Sequence, residues 1–400
     1  VEFGHIISNP PDKHLLLRKP KKIILTHSHY DHIAGLPDLM EAGYLNGSCE
    51  ILGTPQTIKI LPIAFDDMFS HGEACYTDIA KILERCRMIE KPGVTELGED
   101  ADMYNASAGH IPGAMYSSIR IKLSNGEYYV GFVAGDKCRH KQRVVYGTQF
   151  PDDLPDEYLP SAIWWLDLTN PRLDTFDWEA EATKMADSTY QALEEGKIVA
   201  HFAFGNSRTQ NLVLRLLERG IRPIYVGGVG VDIMRVYAEH SWCPQDQKIP
   251  RPLEGVRRIE EAAHCEELIS RGGPLCMVVT SGMGDHGYAA SCVRNGLENP
   301  NWVLGANSWV DSRSPMGRIL QATERHESRV TLTDSETRRS YSAAMRAQIL
   351  ESHLSSHGTL GDWVWMIKRL VERRRKVFGK NKEKLDVITL THGTQRAKAL

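Results

Sequence analysis

Four side chains able to hold a metal ion fall within six positions in Thr26-His27-Ser28-His29-Tyr30-Asp31-His32. The run follows an apolar, strand-like stretch, Lys21-Lys22-Ile23-Ile24-Leu25. On an extended backbone, residues two apart face the same way, so His27 and His29 can turn to one ion. Asp31 and His32 come on the next turn of chain and can reach a second. Two neighbouring cations held by imidazole nitrogen and carboxylate oxygen can activate water and clamp a phosphate or carbonyl. H-x-H-x-D-H is far more restrictive than a lone histidine pair in a polar loop.

Three further positions complete such a donor set. His110 lies in Gly109-His110-Ile111-Pro112-Gly113, just before a strand pattern. Asp136 ends the strand pattern Tyr128–Ala134, where a bridging carboxylate could sit, and His392 ends the last one, Lys384–Leu390. Together they offer nitrogen and oxygen ligands and no thiolate, which suits zinc and is also compatible with manganese or iron.

The elements that must position these residues read as two α/β units. Up to about residue 170 the patterns are a strand at Lys22–Thr26, a helix at 31–45, a strand at 49–52, a helix at 55–68, a hairpin at 117–134 turning at Ser124-Asn125-Gly126-Glu127, and a strand at Ser161–Leu168. The middle alternates helix and strand from Asp177 to Ala306, the signature of βαβ units on a parallel sheet. Within it Leu253–Ile269 is predicted as one helix, and Arg318–Arg346 as a polar connector. Trp363–Lys376 is predicted as a helix near the end.

The chain has 400 residues, 42% hydrophobic and 25% charged, enough for two or three domain-sized units. A net charge of −3 argues against a globally basic nucleic-acid binder but not against a local basic channel. The eight cysteines form no C-x-x-C pair, which suits a reducing compartment and a cytoplasmic location. No apolar run is long enough to span a bilayer, so no membrane association is expected. The chain begins at Val1 rather than Met, and its natural start is expected upstream.

The order of these pieces resembles the metallo-β-lactamase superfamily and, within it, the β-CASP nucleases. The superfamily signature is His27-x-His29-x-Asp31-His32, then His110, then Asp136. The β-CASP branch holds its last ligand until after a large inserted domain, as His392 is held here. Gly135-Asp136-x-x-Arg139, the acidic Asp167 after an apolar strand, Phe204-Gly205-x-x-Arg208-x-Gln210, Ser281-Gly282-Met283, Ser355-Ser356-His357 and His392-Gly393 are similar to that branch's phrases, in its order.

The resemblance implies an αββα metallo-β-lactamase sandwich in two pieces, residues 1–171 and 346–400, around an inserted α/β β-CASP domain, 172–345. It implies two Zn²⁺ ions: His27, His29 and His110 on one, Asp31, His32 and His392 on the other, and Asp136 between them. Asp167 and His357 become a pair at the scissile phosphate, and Arg139, Arg208, Ser281 and Ser355 become candidates for holding substrate. The implied activity is hydrolysis of single-stranded RNA to 5′-phosphate and 3′-hydroxyl ends, by a homo-oligomer or a subunit of a larger complex. His392 resembles the RNA-processing members, His353-Leu354-Ser355-Ser356-His357 the H-x-S-x-H of ribonuclease J, and the inserted-domain strand ends the cleavage-and-polyadenylation endonuclease. A DNA-directed member, a small-molecule hydrolase and a non-catalytic scaffold are the alternatives; the insertion and the full ligand set weigh against the last two. The branch's usual upstream Asp is matched here by Glu2.

Overall fold

The computed structural model describes residues 20–45, 48–70, 77–170, 177–250, 254–307, 309–333, 339–380 and 385–393, the last seven by backbone alone. Glu2 lies outside them.

Two sheets form the first unit. Lys22–Ile24, Glu50–Gly53 and Cys86–Met88 make a three-stranded parallel sheet. The second sheet has six strands, in the order Asp386–Gly393, Ala162–Leu168, Tyr128–Val133, Met115–Lys122, Ala101–Ser107 and Gly93–Gly98. Side chains alternate across its strands as the pleat requires. Met103 and Met115 turn inward and meet Leu52 and Ile24 of the smaller sheet. Tyr104, Ala106, Tyr116 and Phe132 turn outward and are covered by Trp363, Met366 and Leu370 of the helix Leu360–Phe378. On the far side, helices Gly35–Glu41 and Pro55–Ser70 cover Ile23 and Ile51. The layers are therefore helix, sheet, sheet, helix, as the sequence predicts.

The inserted unit is a six-stranded parallel sheet in the order Val256–Arg258, Ile224–Gly227, Leu275–Val279, Ile198–Phe202, Trp302–Ala306, Gln348–Glu351. Its central strands are buried along their whole length because helices cover both faces. The sheet continues to Glu351, past residue 345 where the sequence reading ends the insertion. The two units share one apolar core: Val144 and Val145 of the first pack with Leu212, Val213 and Leu216 of the second.

Two sequence predictions are corrected. The helix predicted over Leu253–Ile269 is a strand, Val256–Arg258, followed by a shorter helix, Ala262–Ser270. Backbone pairing with Ile224–Val226 claims the first half, which begins just after Gly255 (φ +87°). The connector predicted over Arg318–Arg346 holds most of the helix Pro315–Glu324 and an antiparallel hairpin, Arg329–Thr333 with Ser340–Ala344. The Ser314 side chain caps that helix by accepting from Gly317 N, and Val330, Leu332 and Ala343 supply the hairpin's buried face.

The long terminal helix starts on a capping box. Thr359 Oγ1 accepts from Asp362 N at 3.0 Å, and Asp362 Oδ2 accepts from Thr359 N at 3.0 Å. Thr359→Ala is expected to lower stability by about 1 kcal/mol in urea unfolding. An unchanged midpoint would show that this cap contributes nothing.

Candidate active site

Every described metal candidate sits at or just beyond a strand end, where side chains from separate loops can converge. His27 and His29 follow the strand Lys22–Ile24, and His29 caps the short helix Tyr30–Ile33 that carries Asp31 and His32. His110 lies on the loop between Ala101–Ser107 and Met115–Lys122. Asp136 follows Tyr128–Val133. Its neighbour Lys137 anchors that loop: the buried ammonium lies 3.8 Å and 4.0 Å from the ring centres of Tyr116 and Phe150.

The nitrogens of three histidines face one another. His29 Nδ1 is 3.1 Å from His27 Nε2 and 2.9 Å from His110 Nε2. Asp136 Oδ2 lies 3.5 Å and 3.6 Å from those same Nε2 atoms. On the other side, His32 Nε2 is 3.4 Å from Asp136 Oδ1 and 3.6 Å from Asp31 Oδ2. Asp136 Oδ1 is buried and accepts no hydrogen bond. Two donor groups share this carboxylate, His27, His29, His110 and Asp136, and Asp31, His32 and Asp136; a third cluster, Asp136, Asp167 and His357, touches it as well.

The electrostatics favour cations. Burial, then the neighbouring histidines His32 and His110, pushes the His27 imidazolium well down. Burial also takes His29 to about 4, against the pull of Asp31 and Asp136, and lowers His110. Neutral imidazoles with converging lone pairs are metal ligands in waiting. Ser356 O lies 2.8 Å from His110 Nδ1. A carbonyl requires that nitrogen to donate, which leaves Nε2 as the ligand atom. The donor set thus fits divalent metal ions that accept nitrogen and oxygen ligands.

Asp167 and His357 meet beside this cluster. His357 Nδ1 donates to Asp167 Oδ2 at 2.9 Å and lies 3.8 Å from Asp136 Oδ2. Asp167 also accepts from Lys137 N at 3.0 Å and Thr169 N at 2.9 Å. Burial opposes its charge, but His357 and these donors outweigh burial and hold it at about 2. For His357, burial opposes the imidazolium; Asp167 and Asp136 overcome it and push the group up to about 9. The pair is an ion pair at neutral pH.

His392 occupies the strand beside Asp167, with its backbone in register with that residue; its side chain lies outside the described residues. Ser355 Oγ accepts from His357 N at 3.1 Å and so shapes the His357 turn. Arg208 is buried, with Nη2 3.5 Å from Ser356 Oγ. Arg139 stacks on the exposed Trp365 ring at 3.8 Å and reaches Asp362 at 3.4 Å. Both line a cavity of about 400 Å³ with Gln149, Phe150 and Asp152. Ser281 bonds within its own turn, to Asp285 and Met283 N, in the inserted unit.

Two arginines of the basic run Arg373-Arg374-Arg375-Lys376 bond within the protein: Arg373 binds Asp156 at 2.7 Å, and Arg374 is buried against the Pro160 carbonyl at 2.6 Å. Sequence reasoning passed over Asn206, Asn211 and Gln142, all buried between the units. The signal was present: Arg208, Thr209, Gln210 and Asn211 put four polar residues at the start of a helix whose apolar face is Leu212, Val213, Leu216 and Leu217. Such an end must pack against polar loops.

Residues 2–50 match the model of the metallo-beta-lactamase superfamily. The chain is 23% identical to Ribonuclease TTHA0252 of Thermus thermophilus over 74% of this chain and 71% of that one. It is 24% identical to the transcription termination factor FttA of Methanosarcina mazei over 89% of this chain and 57% of that one. A crystal structure of a protein of unknown function from Enterococcus faecalis V583 superposes with a TM-score of 0.51 at 12% identity, covering 88% of this chain and 73% of that one. That likeness is one of fold. Among the described residues, no helix is long and apolar enough to cross a membrane.

Proposed function

From the chain's place in the metallo-β-lactamase superfamily, in its β-CASP branch, we propose that it is a metal-dependent ribonuclease. The observation that carries this reading is an Asp–His ion pair set 3.8 Å from the carboxylate shared by two metal-donor groups. A hydrolase of phosphodiesters needs both: charge to hold the phosphate and a proton for the departing oxygen.

His27, His29 and His110 would hold one Zn²⁺, and Asp31 and His32, with His392, the other, with Asp136 common to both. When bound, the ions supply Lewis acidity toward phosphoryl oxygen and toward an attacking water. The rest belongs to the chain. Asp167 keeps its negative charge and fixes the His357 tautomer, so the Nδ1 proton is spent on Asp167 and Nε2 carries the mobile one. His357, charged at neutral pH, gives that proton to the leaving oxygen. Cleavage in this sense leaves a 5′-phosphate and a 3′-hydroxyl. Arg139 and Trp365, the latter on the helix that begins three residues after His357, offer a flat cationic wall for an unpaired nucleotide. RNA is favoured over DNA by the resemblance of His392 to the RNA-processing members, and an unpaired strand by the exposed Arg139–Trp365 stack. The names of relatives, a ribonuclease and a transcription termination factor, support an RNA substrate.

The test is direct. 5′-labelled single-stranded RNA incubated with the protein and Zn²⁺ or Mn²⁺ is expected to be cut, and chelator should reduce cleavage to background. Cleavage that survives chelator, or none with RNA while DNA is cut, would sink this reading.

A further inference from the structure

The loop after the strand Ile198–Phe202 of the inserted unit, with the helix Arg208–Glu218 it leads into, reaches back to both loops that carry the histidines of the first donor group. Asn206 Nδ2 donates to Ser28 Oγ at 3.0 Å and to the Ser28 carbonyl at 3.3 Å. Ser28 is the residue between His27 and His29. The Tyr237 hydroxyl donates to Asn206 Oδ1, which decides that the amide's N–H end faces Ser28. One helical turn further on, Asn211 Nδ2 donates to Gln142 Oε1 at 3.1 Å. Gln142 Nε2 passes this on to the carbonyls of Gly109 at 3.2 Å and His110 at 2.9 Å. Asn211 Oδ1 accepts from Arg143 N at 2.9 Å and Val144 N at 3.2 Å. From later in the same unit, Asp246 accepts from Gly113 N at 3.2 Å, at the other end of the His110 loop.

We propose that Asn206 and Asn211 are positioning residues of the metal centre, so that the inserted unit sets the geometry of ligands it does not itself contain. The proposal rests on the metal-dependent reading above. Its physical basis is the type of backbone involved. Thr26–His29 and Gly109–Gly113 lie between elements and belong to no strand. Met115 N bonds the Thr26 carbonyl at 2.9 Å and Thr54 Oγ1 the Gly113 carbonyl at 2.7 Å, which leaves Ser28 to Asn206 and the His110 carbonyl to Gln142, itself held by Asn211. Ring nitrogens of three histidines stand 2.9 and 3.1 Å apart around one point, a crowding of polar atoms that a bound cation relieves. A loop left to itself relaxes away from that arrangement. Ser28, Asn206, Tyr237, Asn211 and Gln142 are each at least 94% buried, and parting the units would orphan their polar atoms. The brace therefore makes ligand geometry conditional on docking of the two units. It acts through the backbone of Ser28 and His110, not by touching substrate or ion.

The test uses the full chain and Zn²⁺ alone, by competition with a chromogenic chelator. Asn206→Ala is expected to weaken Zn²⁺ binding by about 10–100-fold. Tyr237→Phe, which keeps the ring and removes only the group that orients the amide, should shift affinity in the same direction by less. Asn211→Asp keeps the acceptor toward Arg143 and Val144 and removes the donor toward Gln142, so it separates docking from the hold on His110. On RNA, the variants should lose kcat with KM little changed. Zn²⁺ affinity within two-fold of the parent in all three variants, with only the melting temperature lowered, would overturn the proposal and leave these residues as ordinary interface contacts. A parent protein that binds Zn²⁺ but leaves RNA intact defeats the ribonuclease reading and not this one, because affinity is read without turnover.

Discussion

His357→Ala is expected to lower kcat on RNA by about 10²–10⁴-fold while the protein keeps its full complement of metal. The split between turnover and metal content is the point of the experiment. His357 Nδ1 is committed to Asp167 at 2.9 Å, and Asp136 Oδ2 lies 3.8 Å away. A ligand role would show as lost metal; a proton-donor role shows as lost turnover alone. The leaving group supplies a second readout. A substrate ester with a nitrophenolate leaving group needs little protonation, so the loss on it should be far smaller than on RNA. Equal losses on both would reassign His357 to binding. The pH profile has a sign. Without metal, Asp167 and Asp136 push His357 up to about 9, above the ordinary histidine value; cations bound at Asp136 offset part of that pull, so activity that depends on the acid falls with rising pH at a point below about 9. The ion pair's contribution to stability is likewise present below the ordinary histidine pKa and lost on passing above the folded one.

The larger loss is expected at Asp136. Asp136→Ala removes the one carboxylate common to both donor groups and leaves His27, His32 and His110 facing a void. Metal content measured by atomic emission should fall by at least one ion per chain, and activity by about 10⁴-fold or more. Asp136→Asn sharpens the result, because the amide has the same shape without the charge. If Asn retains both ions, the carboxylate's charge is not what holds them together.

Much of the site was legible because its information is local. His27, His29, Asp31 and His32 are neighbours in sequence, and an extended-to-helix backbone brings them together with no help from elsewhere. His110, Asp136 and Asp167 are marked by strand ends, which apolar runs announce. What was hidden depends on partners far along the chain. Val256–Arg258 looks helical until Ile224–Val226 supplies its ladder. The polar stretch before Arg346 hides a hairpin because only Val330, Leu332 and Ala343 of it need to be apolar. Asn206 and Asn211 carry no mark of their own; Ser28 and Gln142 give them meaning. Ser281 and Arg208 show the converse. Both stood out in the sequence, yet one bonds within its own turn and the other is buried under Ser356.

The pairing of Asp386–Gly393 with Ala162–Leu168 has a consequence for the protein as it is made. The edge that receives the last strand emerges from the ribosome more than two hundred residues before the strand that covers it. At about 5–20 residues per second the apolar edge Ala162-Ile163-Trp164-Trp165 waits on the order of 10–40 s. Until then Asp167 lacks its neighbour strand, and for nearly as long it lacks His357. A chain made only as far as the inserted unit therefore carries the ligand-rich loop Thr26–His32 without His357. The order of synthesis withholds the Asp167–His357 pair until the chain has grown past the whole insertion.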